Sequence, residues 1–222
     1  MRSLNRRMHC ACLALAVALA PPALGDGAER LAEAMAPLHT FTAGFRQETR
    51  DGSGVLAEAS AGRFRLERPS RFRIDFEGEY PGAIVSDGRT WWVYESELLQ
   101  VVVRDLASYA DQIPVMVLTT QPEQLYAQYE IDWFDSETDE KTFVLTPKDQ
   151  RALYATVTIV LSQGTPQLLE VRSQVGDSTR ISFDDAEINA TLSADTFVFD
   201  IPDGVDVIDE RVAEADAQAS GE

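Results

Sequence analysis

From Phe41 onward the sequence alternates apolar and polar residues with a period of two, and turn-forming residues break the alternation repeatedly. Side chains two apart share one face of a strand, so a chain patterned this way forms a sheet. Phe41, Ala43 and Phe45 oppose Thr42, Gly44 and Arg46, and Asp51-Gly52-Ser53-Gly54 then closes a hairpin. Strands are predicted to follow at 54–60, 62–67, 71–77, 82–87, 90–95 and 98–104, and again at 142–146, 153–162, 167–175, 178–187, 196–200 and 205–208. Ahead of them, Asp26 and Glu29 read as a capping box, and Leu31, Met35 and Leu38 recur at i, i+4 and i+7. That spacing predicts an amphipathic helix ending near Pro37. Between the two groups of strands, residues 105–127 lose the alternation. Pro114 and Pro122 bracket an apolar stretch, Val115 to Leu118, which reads as one or two short helices over the sheet. The fold class is mainly β with some α: a strongly curved antiparallel sheet, or incomplete barrel, closed by a helical lid.

No repeat or linker divides the chain, so residues 26–210 read as one domain and the Ala-, Glu- and Asp-rich 211–222 as a frayed acidic tail. Residues 1–25 read as a secretory signal. Arg2, Arg6 and Arg7 supply its basic start, Cys12 to Ala20 its apolar run, and Ala23-Leu24-Gly25 a small-x-small cleavage pattern. The run is too short for a membrane span, which needs about 20 apolar residues. Cys10 precedes the apolar run and Cys12 opens it, whereas a lipid-bearing cysteine would follow it. Both leave with the signal, as does His9. The mature chain then has no cysteine and one histidine, His39, and is expected in a bacterial periplasm without disulfides.

The 222 residues are 45% hydrophobic and 25% charged, ordinary for a globular protein. The net charge of −18 becomes −21 without the three leader arginines. Nucleic acid and stable membrane insertion are excluded as partners, because phosphate-rich surfaces call for clustered Lys and Arg. Enzyme chemistry finds little to work with. A cysteine nucleophile or a thiolate or multi-His zinc site is impossible in the mature chain, and GxSxG, P-loop and GxGxxG motifs are absent. His39 reads as a helix-end residue, and Asp184 and Asp185, adjacent on a strand, point to opposite faces. The Asp135–Glu140 run reads as a solvated turn, and Asn189-Ala190-Thr191 as an unused glycosylation pattern. No catalytic residue, cofactor or metal is expected.

One strand is apolar on both faces: Val157, Ile159 and Leu161 oppose Thr156, Thr158 and Val160. It is either a core strand covered by helix or the wall of an apolar cavity large enough for a lipid. The aromatic residues on strands serve either reading.

Gly62-Arg63-Phe64-Arg65-Leu66-Glu67-Arg68-Pro69-Ser70-Arg71-Phe72-Arg73-Ile74 resembles the G-x-F-x-L-x-R-P-x-x-F-x-W hairpin of the LolA family, with Ile74 where tryptophan is often found. Val85-Ser86-Asp87-Gly88-Arg89-Thr90-Trp91-Trp92-Val93-Tyr94 resembles that family's V-S-D-G-x-x-L-W-x-Y, and Leu98-Leu99-Gln100-Val101 its L-x-Q-V strand. Phe41 to Gln47, Phe143 to Lys148 and Pro202 to Val207 are further matches in the family's order.

The resemblance implies a half-open barrel whose helical lid covers the acyl chains of a triacylated lipoprotein. The cargo would come from an inner-membrane LolCDE-type ABC transporter and pass to an outer-membrane LolB-type acceptor. It also implies that Arg68 is the latch that bonds the lid. Phe72 matches a cavity-side phenylalanine, and Leu31, Met35, Phe45, Phe64, Ile74 and Trp92 are the other candidate wall residues. The protein is expected to be a monomer. The rival reading is a generic lipid-binding or envelope-sensing module of the same fold. Arg63, Arg65, Arg71 and Arg73 read either as a docking patch for an acidic partner or as a solvated face paired with carboxylates.

Overall fold

A ten-residue helix, α1 (Asp26–Met35), opens the chain in the computed structural model, which describes residues 26–109, 114–120, 122–136 and 139–211. The proposed leader, all of the acidic tail but Arg211, and the Asp26 side chain of the capping box lie outside the described residues. Leu31 and Met35 are each 1% exposed, as the helical spacing requires. Gly27 lets α1 lie close against the sheet, since a Cβ there would stand 2.0 Å from the Ile131 carbonyl oxygen.

Six strands follow: β1 (Thr40–Arg50), β2 (Leu56–Glu67), β3 (Arg71–Glu77), β4 (Gly82–Asp87), β5 (Thr90–Glu95) and β6 (Gln100–Asp105). Three short helices interrupt, α2 (Leu106–Tyr109), α3 (Met116–Thr119) and α4 (Pro122–Gln128). The chain then returns to strands β7 (Tyr129–Asp135), β8 (Glu140–Pro147), β9 (Tyr154–Ser162), β10 (Thr165–Ser173), β11 (Ser178–Ile188) and β12 (Asp206–Asp209). All twelve make one sheet in the order β12-β6-β5-β4-β3-β2-β1-β11-β10-β9-β8-β7. Its edges, β12 and β7, do not meet, so the barrel is incomplete.

The structure departs from the sequence expectations at five places. Three short helices, α2, α3 and α4, stand where one or two were expected. The strands predicted at 54–60 and 62–67 are one, because Gly62 is a point of close approach and not a turn: a Cβ there would lie 1.9 Å from the Asp75 carbonyl oxygen. β7 is absent from the sequence expectations. Its Tyr129, Ile131 and Trp133 alternate with Glu130 and Asp132, a period-two signal that the sequence expectations passed over. The strand expected at 196–200 is a 3-10 turn, Ala194–Phe197, in which the Ser193 hydroxyl accepts a bond from the Asp195 N–H. Finally, β12 runs parallel to β6, the exception in an otherwise antiparallel sheet.

One face of the curved sheet holds the main core. Phe41, Phe64, Phe72, Phe143, Val157, Ile159 and Leu169 face inward, and Leu31, Met35, Met116, Val117, Leu118 and Leu125 of the helices pack onto them. The outer face carries a second, smaller apolar cluster. There Ala83, Val85, Val101 and Val103 are buried beneath the segment that leads to β12, whose Phe197 is 2% exposed. Arg73 Nη1 donates to the Val198 carbonyl of that segment, 3.2 Å, and Arg104 Nε donates to Glu210 Oε2, 2.6 Å, at its end.

Candidate functional site

The β2–β3 turn aims Arg68 across the rim of the concave face. Its Nε donates to the Leu118 carbonyl of α3, 3.0 Å, and its Nη1 to the Met35 carbonyl at the end of α1, 3.2 Å. The Arg68 backbone N–H donates to the His39 carbonyl, 2.9 Å, which fixes the root of the side chain. The last carbonyls of a helix lack intrahelical donors and carry partial negative charge, so a guanidinium suits them. Arg68 therefore joins the sheet to both a terminal helix and a lid helix through groups that are not ionised. Burial pushes its pKa below the ordinary arginine value, and its Nη2 is buried without a hydrogen-bond partner among the described residues. Two bonds to a charged donor stabilise this closure by about 1.5–3 kcal/mol each, while the orphaned N–H costs about 1–3 kcal/mol. Arg68 thus contributes a net of about 0–5 kcal/mol to holding these helices on the sheet.

Beneath Arg68 the interior is aromatic. The Phe41 ring lies 5.2 Å from Phe183, edge-on, and 5.8 Å from Phe64, and Phe45 meets Phe76 edge-on at 5.6 Å. Such contacts are favourable. Phe45, Gln47, Phe64, Ile74, Val115, Ile181 and Phe183 surround a void of about 20 Å³, room for about one water molecule. The concave face is filled by the protein's own side chains, with Val115 of the lid segment reaching the void. A larger hollow, about 330 Å³, is a surface depression beside Ala34 and Gly164, away from this interior.

Of the wall residues expected from sequence, Leu31, Met35, Phe45, Phe64, Phe72 and Ile74 all belong to the concave core. Trp92 does not. Phe72 pairs with Ser86, and Ser86 with Trp91, so Trp91 shares the inner face and Trp92, one residue on, takes the other. Trp92 packs instead against Phe199 of the covering segment, ring centroids 6.3 Å apart. A doubled tryptophan gives alternation nothing to choose by, which is why the sequence misassigned it.

A model of the family described as outer membrane lipoprotein carrier protein LolA matches residues 36–200. The chain belongs to the LolA family. It is 34% identical over 196 residues to an outer-membrane lipoprotein carrier protein of Chromohalobacter salexigens, covering 88% of this chain and 93% of that one. A carrier protein of Alcanivorax borkumensis is 32% identical, with 88% and 94% covered. Another, of Pseudomonas aeruginosa, is 31% identical over 207 residues, with 93% and 99% covered. Among solved structures, an uncharacterized conserved protein of Thermus thermophilus superposes with a TM-score of 0.52 at 13% identity, covering 82% of this chain and 99% of that one. MucB superposes with a TM-score of 0.50 at 20% identity, with 83% and 65% covered. These two share the fold.

In this LolA family member the remaining polar candidates are structural. Asp75 takes both Arg65, at 2.6 Å, and Arg73, at 2.8 Å, and Glu67 takes Arg71 at 3.2 Å, so most of the basic hairpin face is paired with its own carboxylates. Asp184 pairs with Arg46 at 2.8 Å. His39 is exposed, and its backbone N–H donates to Asn189 Oδ1, 3.0 Å, while Asn189 Nδ2 donates to the Pro37 carbonyl, 2.8 Å. Asn189, which in sequence is only part of a glycosylation pattern, therefore ties the chain leaving α1 to the end of β11. Its positive φ of 60° suits asparagine. Sequence reasoning also missed Phe41 and Phe183 as wall residues, although Phe41 shares the parity of Phe45.

Proposed function

We propose that the concave face receives the acyl chains of lipoproteins, with the helices as a lid and Arg68 as its latch. The protein takes the cargo from a LolCDE-type transporter at the inner membrane. It carries the cargo through the periplasm as a monomer and gives it to a LolB-type acceptor at the outer membrane. The observation that carries this reading is Arg68 bonding the carbonyls of two separate helices at the mouth of an apolar, aromatic interior. Family membership supports it.

The energetics suit a courier. Each buried methylene contributes about 0.8 kcal/mol, so a long acyl chain cannot cross water uncovered. A carrier must also give the chain up. An interior that closes on its own side chains, modestly stabilised by Arg68, competes with the cargo and makes unloading favourable. A net charge of −18, or −21 once the leader is removed, disfavours adhesion to anionic lipid at either membrane. Nothing in this scheme makes or breaks a covalent bond, so the protein acts as a carrier and not as an enzyme.

The test is native mass spectrometry of the mature protein purified gently from the periplasm. The expected result is bound triacylated lipoprotein. A protein that carries none, and that shows no saturable binding of an apolar fluorescent probe while folded by circular dichroism, would refute the carrier reading.

A further inference from the structure

Trp91 hides a hydrogen-bond donor in the concave face. Its ring is half-buried, but the indole Nε1 is fully buried and has no hydrogen-bond partner among the described residues. A buried indole N–H ordinarily finds an acceptor, and one left without it destabilises the fold. Position 91 is also where the chain departs from the V-S-D-G-x-x-L-W-x-Y motif it resembles, with tryptophan in place of leucine. Leucine would fill the same apolar face with no polar atom to satisfy. Packing alone therefore does not account for the N–H, whereas a ligand that brings an acceptor would.

The surroundings specify that acceptor. Trp91 pairs with Ser86 on one side and Arg104 on the other, and Ser86 Oγ donates to the Ser70 carbonyl, 3.0 Å, in the turn that carries Arg68. Trp91 thus stands at the Arg68 end of the sheet, where the head of an acyl chain would lie once its tail has entered the interior. Tyr109 of α2 lies against the indole, ring centroids 5.9 Å apart. The Arg104 guanidinium stacks on both rings, 5.3 Å from the Trp91 centroid and 4.9 Å from that of Tyr109. Its charge is already matched by Glu210, at 2.6 Å. An anion would therefore meet one neutral donor and a compensated cation, too little to offset its loss of water. A neutral carbonyl oxygen needs only the one donor. In a glycerol-linked acyl chain that oxygen is the ester carbonyl.

We propose that Trp91 is a binding residue whose indole N–H donates a hydrogen bond to an ester carbonyl oxygen of the acylated cargo, a contact that rests on the carrier reading above. The donor left unsatisfied in the closed form is satisfied in the loaded one. The contact therefore favours loading and opposes the closure that Arg68 supports.

The experiment titrates the mature protein with monopalmitoylglycerol, an ester, and with hexadecylglycerol, the ether that lacks its carbonyl oxygen. It compares wild type with Trp91→Phe, which keeps an aromatic ring and drops the N–H. Wild type should bind the ester about three- to tenfold more tightly than the ether, and Trp91→Phe should bind the two alike. A second measurement, read on the wild type, follows the indole N–H signals of its three tryptophans by nuclear magnetic resonance. The Trp91 signal should move downfield with the ester and stay in place with the ether. Equal binding of ester and ether by wild type, discrimination that persists in Trp91→Phe, or an unmoved Trp91 signal would each overturn the contact. A triacylated cysteinyl peptide should move the signal as the simple ester does. A signal that moves with phosphatidylglycerol and not with that peptide would overturn the cargo as the source of the ester. A wild type that binds neither lipid nor an apolar probe would overturn the carrier reading itself, and the Trp91 contact with it.

Discussion

Arg68 and Leu118 stand 50 residues apart in the chain, and Arg68 Nε donates a 3.0 Å hydrogen bond to the Leu118 carbonyl. The bond couples a turn of the sheet to a helix of the lid. With its companion to Met35, it is the point at which one side chain bonds two elements that cover the interior.

Arg68→Leu should therefore load but unload poorly. Losing two bonds of about 1.5–3 kcal/mol each weakens the closed form that displaces cargo, so transfer to a LolB-type acceptor should slow by about tenfold or more. Arg68→Lys, which keeps the charge without the planar fork, should fall between. Arg63→Leu, at an exposed position on the outer face of the same hairpin, should transfer normally. Equal rates for all four proteins would reduce Arg68 to a turn residue.

The two apolar clusters should separate under mutation. Phe41→Ala, at a fully buried position, should cost about 3–5 kcal/mol in denaturant unfolding and weaken apolar-probe binding. Trp92→Ala, on the half-buried outer cluster, should cost about 1–3 kcal/mol and leave probe affinity alone. A Trp92 variant with impaired probe binding would return that residue to the cavity wall.

Asn189→Ala removes the bonds to His39 and Pro37 and places alanine at a φ of 60°. A loss of about 1–3 kcal/mol is expected from the two effects together. Asn189→Gly loses the bonds alone and should be the milder change. Thermal unfolding of the pair distinguishes bonding from backbone strain, and identical losses would assign everything to the bonds.

Asp209 titrates unusually low. Hydrogen bonding from the Arg211 side chain holds its pKa at about 2, against an ordinary 3.8. The stabilising contribution of this lowered carboxyl is present above its ordinary value and is lost as pH falls through about 2. Stability from this pair should thus be flat near neutrality. A carboxyl titration by nuclear magnetic resonance should give a midpoint near 2 that moves back towards 3.8 in Arg211→Ala. An unmoved midpoint would show that Arg211 is not the cause.

Alternation located β3, β4 and β5 to the residue because each is short and bounded by clear turns. It failed in several places where another force sets the conformation. Gly62 looks like a break but serves a close backbone approach, and Phe197 and Phe199 look like a strand but serve as a cover over the outer face. Trp92 shows the limit for the site itself: facing depends on register with β4, which a single strand does not encode. Arg68 and its motif were legible by resemblance. Which two carbonyls it bonds, those of Met35 and Leu118, was not, since peptide groups leave no mark in residue identity.

Backbone acceptors also bear on how such a contact evolves. A contact whose receiving half is made of peptide groups has no partner side chain to change in step with it. Met35 and Leu118 can be exchanged for other residues that end a helix in the same place, and the bonds to Arg68 survive. Arg68 should then stand alone in any comparison of correlated substitutions, fixed without a covarying mate. Its two helices would be free to diversify towards different cargoes while the closing contact is inherited intact.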